Sequence, residues 1–427
     1  MDHHSAGADR AERLPRHLTF AALLFLMLNG IVGAGIFGMP QNVALLAGEW
    51  GVVMFPLCAL LIFPVILVFA HLGSRFAGTG GPMLYVGIAF GAFAGFQTGW
   101  AFYVARLTAF AANINLLITT LAWFWSGLGA TGAKIAALGL IIAGLAALNV
   151  RSGEASIRTL NILTVLKFLP LLGIVCLGFM MISEPSNPFA EITPDIGAAI
   201  LLVIYAYVGF ESGLVPAAEA KSPQKDIPRA LIAALIIATV LYTGLYLVCE
   251  RVLPGLAIDP QAVVSVGESL FGEIGGAVIS ATIAVSILGN LMGALFSTPR
   301  ITYRLALDGW LPKRLASLHE ASSMPMYSIA LFAALAFLLA ASGSFIWLAS
   351  ISVVVRLLIY LGCIASMHYA AKSDGLSLPG GPTIPLLAAA ICLYLLTQAS
   401  MTAWLATAAL LLVGSVLWWV AAFGRSH

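Results

Sequence analysis

Leu28-Asn29-Gly30-Ile31-Val32-Gly33-Ala34-Gly35-Ile36-Phe37-Gly38 is the stretch on which the fold turns. It lies in an apolar run, 18–39, long enough to cross a bilayer, yet four of the nine residues from Gly30 to Gly38 are glycine. Small residues let membrane helices approach closely, which accounts for a pair of glycines better than for four. Each glycine costs a helix about 1 kcal/mol relative to alanine, so the reading is a helix interrupted over Val32 to Ile36. A break frees backbone N–H groups, and the half-helix beyond it points its positive dipole end into the gap. An anionic group such as a carboxylate satisfies both.

A second interruption is expected at Tyr205-Ala206-Tyr207-Val208-Gly209-Phe210-Glu211-Ser212-Gly213, roughly 175 residues and five spans further on. Paired broken helices at corresponding positions of two halves point to a transporter binding site. Five spans per half is odd, so the second half runs inverted relative to the first.

The rest of the chain fits this frame. Of 427 residues 61% are hydrophobic and 9% charged, against about 25% charged in ordinary soluble domains. That composition excludes a soluble enzyme, a disordered chain and a nucleic-acid binder, and leaves a polytopic protein of the lipid bilayer. At roughly 20 apolar residues per span, twelve candidates run over 18–39, 50–73, 84–118, 133–150, 160–183, 196–217, 230–252, 274–303, 326–342, 345–370, 382–398 and 402–422. The third and eighth are over-long, which suggests tilt or extension beyond the bilayer. The polar start, 1–17, precedes a first span without a cleavage signal and is read as retained. The five cysteines, Cys58, Cys176, Cys249, Cys363 and Cys392, lie in apolar runs with no CxxC spacing and read as buried free thiols. No cofactor or metal site is indicated.

Charge placement orients the chain. With twelve spans, fifteen of the 20 lysines and arginines fall on the side that holds both termini, and only Lys134 and Arg251 on the other. Both termini are therefore expected in the cytoplasm, with the chain a multi-pass protein of the cytoplasmic (inner) membrane. Four ionisable groups stay inside spans: Arg106, Lys167, Arg356 and Glu211. Such groups usually face the bundle interior or a water-filled cavity. Lys167 is too central in its span to snorkel. Arg106 and Arg356 are read as pairing with Glu211 or capping carbonyls of the breaks.

At these residues the sequence resembles the amino acid–polyamine–organocation family of secondary transporters, over almost its whole length. The marks are Gly33-Ala34-Gly35-Ile36-Phe37, Tyr207-Val208-Gly209-Phe210-Glu211 and the loop Ala218-Glu219-Ala220-Lys221-Ser222-Pro223-Gln224-Lys225-Asp226-Ile227-Pro228-Arg229-Ala230. Gly80-Gly81-Pro82, Gly99-Trp100 and the run from Arg300 through Asp308-Gly309 to Leu311-Pro312 support them. The resemblance implies an all-α integral membrane fold of twelve transmembrane helices. Two inverted five-helix repeats, 18–183 and 184–371, carry the broken helices 1 and 6, and 372–427 adds two peripheral helices.

The resemblance also implies a substrate held between helices 1 and 6. Its carboxylate would meet backbone amides at Ala34, Gly35 and Ile36, beside Val32 and Gly33. Its ammonium would meet carbonyls of Tyr205, Ala206 and Val208, beside Gly209. Tyr205 matches an aromatic gate. Lys167 stands where sodium-coupled relatives of the fold bind Na⁺, which implies sodium-independent transport. Lys167 then either carries a proton, as burial lowers a lysine's pKa, or holds helices 1, 5 and 8 together as a fixed charge. Glu211 matches an acid that links helix 6 to its neighbours.

Side-chain selectivity is expected from spans 3, 6, 8 and 10: Asn113 and Asn115; Leu288, Gly289, Asn290, Met292 and Leu295; and Ser350, Ser352 and Val353. The scarcity of acids there favours a neutral, apolar amino acid, moved by proton symport or exchange through a monomer or homodimer. The alternative is a cationic amino-acid or polyamine antiporter, with Tyr205, Tyr207 and Trp100 as a cation box. A channel would want a ring of like residues and oligomeric symmetry, and the pseudo-symmetric broken helices argue against it; an intramembrane enzyme lacks a catalytic set.

Overall fold

The computed structural model describes residues 18–33, 35–76, 81–151, 168–180, 193–215, 217–253, 256, 259, 261–320, 322, 324–374 and 381–425. Among these the chain is helical, and its only strand-like feature is an isolated bridge between Leu18 and Ala220. Eight helical segments are long and apolar enough to cross a membrane, and four shorter apolar helices accompany them.

The first predicted span is two helices, α1 (Phe20–Ile31) and α2 (Gly35–Ala47). Thr19 caps α1 by accepting from the N–H of Ala22 at 3.4 Å. α3 (Gly51–Arg75) follows. The over-long third span resolves into α4 (Pro82–Phe90) and α5 (Ala92–Leu121), separated at Gly91, whose φ of 85° requires glycine. α6 (Thr131–Arg151) and α7 (Phe168–Met180) complete the first half, and 152–167 lies outside the described residues.

The sixth span is α8 (Ile196–Tyr207) followed by a 3-10 segment, Phe210–Leu214. Asp195 caps α8 through the N–H of Ala198 at 3.0 Å. α9 (Pro223–Val252) precedes α10 (Ala262–Ser297) and α11 (Pro299–Leu307). The eighth span is divided near its end, where Pro299 starts a new helix, and α10 kinks at Gly272, φ 69°, just before that span begins. α12 (Met326–Ser342), α13 (Phe345–Asp374), α14 (Thr383–Thr397) and α15 (Met401–Arg425) end the chain.

The packing centres on α5, which is buried along most of its length. α13 lies beside it, tied by the Ser352 hydroxyl donating to the Ala105 carbonyl at 2.8 Å. α12 packs on α5 and α6, and α3 lies along α9. α14 covers α3 and α13; α15 covers α5 and α13 while presenting most of its surface outward. Trp100 anchors α15 by donating from Nε1 to the Leu410 carbonyl at 2.7 Å. Four cysteines are buried, as expected; Cys176 differs and is exposed on α7.

At the centre α1 crosses the segment after α8 with no side chain between. A Cβ added to Gly30 would overlap the carbonyl oxygen of Gly209, and one added to Gly209 would overlap that of Gly30. A second tie lies at the start of α1, where the N–H of Leu18 donates to Glu219 O and the N–H of Lys221 donates to Leu18 O, each at 2.9 Å.

Candidate functional site

The site forms where the two interruptions meet. α1 ends at Ile31, Val32 still donates to Leu28 O at 2.7 Å, and helix resumes at Gly35. Ala34 lies outside the described residues. A helix restarting at Gly35 leaves its first-turn N–H groups without intrahelical acceptors. In the second break Val208 is extended (φ −77°, ψ 159°) and Gly209 has φ 112°, a conformation that excludes most other residues. The glycine pattern thus marks both interruptions, and the first is narrower than the Val32 to Ile36 expected.

Tyr242 of α9 joins the two broken ends. Its hydroxyl lies 3.0 Å from Ile31 O, the last carbonyl of α1, and 3.1 Å from Ala206 O, one residue before the end of α8. The Ala206 carbonyl, expected to be an open acceptor, is therefore already engaged.

A small cavity opens beside the breaks. The first break contributes Gly30, Ile31, Gly33 and Gly35; the second contributes Tyr205, Val208 and Gly209. α5 supplies Arg106, Ala109, Phe110 and Asn113; α10 supplies Asn290 and Ala294; α13 supplies Arg356. A polar relay crosses it: Tyr205 OH donates to Asn113 Oδ1 at 2.8 Å, Asn113 Nδ2 to Asn290 Oδ1 at 3.1 Å, and Asn290 Nδ2 reaches Asn29 O at 3.5 Å. The Tyr205 ring also meets Phe345 edge-on, centroids 5.9 Å apart. Gly33 faces Asn290, where a Cβ would lie 3.1 Å from Nδ2.

Below the second break Arg356 Nε pairs with Glu211 Oε1 at 2.8 Å, with side chains only 3% and 1% exposed. Glu211 Oε2 accepts from the N–H of Gly209 at 2.9 Å and from Tyr360 OH at 3.2 Å. Arg356 Nη1 donates to Ala105 O and Ser352 O, each at 3.3 Å, and to the Ser352 hydroxyl. Both charges are satisfied by hydrogen bonds, the condition under which a buried pair is tolerated. Of the two pairings expected for Arg356 the structure has the carboxylate; the carbonyls it meets belong to α5 and α13, not to the breaks. Among the described residues Arg106 has neither: Nη2 donates to Ser297 Oγ at 2.9 Å and Nε to Thr298 Oγ1 at 3.4 Å.

Several expected residues stand elsewhere. Val32, Ile36, Ala206 and Val353 are buried but do not line the cavity. Met292 also lies outside its lining, and its carbonyl accepts from Asn149 Nδ2 at 3.5 Å. Asn115 donates to Ala340 O at 3.0 Å, tying α5 to α12, and Ser350 bonds back to Ile346 O at 2.9 Å. Leu288, Gly289 and Leu295 are likewise absent from the lining. The cation box does not form: Trp100 serves α15, and Tyr207 OH donates to Phe55 O at 3.0 Å in the α3 contact. Lys167 lies outside the described residues. Ala109, Phe110 and Ala294 line the cavity without having been singled out. Helical spacing from Arg106 and Asn113, and from Asn290, was the signal that marks them.

Comparison with known proteins adds the family. A family model described as amino acid permease matches residues 18–424. A serine/threonine exchanger of Bacillus subtilis is 26% identical over 422 residues, covering 94% of this chain and 95% of the relative. A branched-chain amino acid permease of Lactococcus lactis is 27% identical over 391 residues, covering 85% and 83%. A methylthioribose transporter of Bacillus subtilis is 25% identical over 456 residues, covering 98% and 95%.

Proposed function

The chain belongs to the amino acid permease family, and from that premise we propose that it moves a neutral, apolar L-amino acid across the cytoplasmic membrane by alternating access. It is a multi-pass membrane transporter and not an enzyme. The observation that carries the proposal is the meeting of two interrupted helices at one cavity, with the N-terminus of α2 and the ends of α1 and α8 in its walls. A zwitterion needs donors at one end and acceptors at the other. The N–H groups of Ala34, Gly35 and Ile36 take the carboxylate, and the carbonyls of Tyr205 and Val208 take the ammonium. Ala206 contributes through Tyr242. Tyr205 closes over the substrate against Phe345.

Three features favour a neutral, apolar side chain. Glu211, the acid next to the second break, is spent on Arg356. Asn113 and Asn290 bond to each other and to Tyr205, so their polarity is largely used within the protein. Ala109, Phe110 and Ala294 supply apolar wall. Relatives named for serine and threonine or for branched-chain amino acids point the same way on charge.

The topology proposed is twelve spans with both termini cytoplasmic, a tail 1–17, inverted repeats 18–183 and 184–371, and a peripheral pair in 372–427. The helices five spans apart that such a repeat would relate lie against each other: α2 on α8, α3 on α9, α5 on α10 and α6 on α12. Transport is sodium-independent, by proton symport or exchange, with Lys167 as proton carrier or fixed charge. Reconstitution into proteoliposomes with an amino-acid panel tests this, with and without sodium and a pH gradient. Sodium-free uptake of leucine or methionine supports it; failure to move any amino acid or amine overturns it.

A further inference from the structure

We propose that Arg106 sets the charge class of the transported side chain, excluding cationic amino acids and polyamines while admitting neutral and anionic ones. The inference rests on reading the cavity as the amino-acid site. Two guanidinium groups border that cavity, Arg106 and Arg356. They are not equivalent. Arg356 is buried and neutralised by Glu211 at 2.8 Å. Arg106 is held by the hydroxyls of Ser297 and Thr298, which fix its geometry and leave its charge uncancelled. No carboxylate lines the cavity among the described residues. The described walls therefore carry one net positive charge, and it belongs to Arg106.

Its position gives that charge a role in selectivity. Arg106, Ala109, Phe110 and Asn113 share one face of α5, with Arg106 about 10 Å along the axis from Asn113. An amino acid anchored by its backbone groups at the two breaks directs its side chain toward this face. A guanidinium stays charged throughout the physiological range. Two like charges about 6 Å apart at the effective dielectric of a protein site disfavour binding roughly 100-fold. A side-chain carboxylate meets the opposite effect, a charge-assisted hydrogen bond to the guanidinium.

Pairs of nearly isosteric competitors isolate this charge effect from size and hydrophobicity. In proteoliposomes, uptake of radiolabelled L-leucine is competed with L-lysine against L-norleucine, and with L-glutamate against L-glutamine. The wild type is expected to disfavour lysine relative to norleucine by roughly 100-fold. Arg106→Gln, or Arg106→Met should that variant fold better, lowers this ratio at least tenfold and weakens glutamate relative to glutamine. Arg106→Lys keeps both ratios near those of the wild type. A purely structural role for Arg106 would not move the two ratios with opposite sign. Equal competition by lysine and norleucine in the wild type overturns the proposal while leaving the transport reading intact. So does a neutral variant whose ratios are unchanged or shift in the same sense. If the wild type takes up no leucine and binds none of the four competitors, the transport reading itself falls, and the proposal with it.

Discussion

Glu211 and Arg356, 145 residues apart in sequence, form an ion pair of 2.8 Å that fastens the break after α8 to the middle of α13. The carboxylate also accepts from Gly209, the residue that makes the break possible, so the pair holds the interruption itself in place. Removing one partner leaves an uncompensated buried charge. Arg356→Met is expected to destabilise the protein by about 3–5 kcal/mol. Arg356→Met combined with Glu211→Gln should recover much of that loss, and thermal melts of the two single variants and the double variant in detergent read the coupling. Single variants as stable as the wild type would contradict the pairing.

Gly209 combines two demands, a φ of 112° and a backbone contact with Gly30. Gly91 has the first demand alone, with φ 85° and open space where a Cβ would go. Gly91→Ala should therefore cost about 1–3 kcal/mol, the strain of a backbone conformation essentially confined to glycine. Gly209→Ala should cost clearly more and abolish uptake, and Gly30→Ala should behave like it. Comparable melting temperatures for the Gly91 and Gly209 variants would show that the close approach carries no weight.

Tyr242→Phe removes a hydroxyl shared by the ends of both broken helices. Ile31 O keeps the Gly33 N–H at 2.9 Å, but losing the donor to a buried carbonyl such as Ala206 O costs about 1–3 kcal/mol, here at the groups that frame the substrate. Apparent substrate affinity should fall about tenfold, the lower part of that range. Tyr207→Phe loses one bond to Phe55 O in the α3 contact and serves as the comparison. A larger loss of affinity in the Tyr207 variant would place the organising contact elsewhere.

Lys167→Ala separates the two roles given to that lysine. As the proton carrier, its loss should abolish the response of uptake to an imposed pH gradient while exchange persists. Uptake that still responds fully to the gradient would eliminate the carrier role.

The breaks were legible because glycine acts locally: four glycines between Gly30 and Gly38, and Gly209 between Val208 and Phe210, each disfavour helix wherever the chain goes. The over-long third and eighth spans were visible as anomalies, but their local interruptions, at Gly91 and before Pro299, were not read from the sequence. What Gly30 approaches, and which of the two arginines Glu211 meets, depended on packing between distant segments, and no periodicity encodes that. The pocket residues divided the same way. Asn113 and Asn290 were found through their polarity, whereas Ala109, Phe110 and Ala294 look like ordinary membrane-helix residues until the faces of α5 and α10 are fixed. Met292 and Val353 sit close in sequence to lining residues, but a helix turns about 100° per residue and carries neighbours to other faces.

Counterflow in proteoliposomes tests the central claim most directly. Vesicles preloaded with L-leucine, L-methionine, L-arginine or putrescine are diluted into trace amounts of the same labelled compound, without sodium. The account predicts transient accumulation of label for leucine or methionine, and none for arginine or putrescine. Accumulation of arginine or putrescine alone would contradict the neutral-substrate assignment and favour a cationic amino-acid or polyamine antiporter.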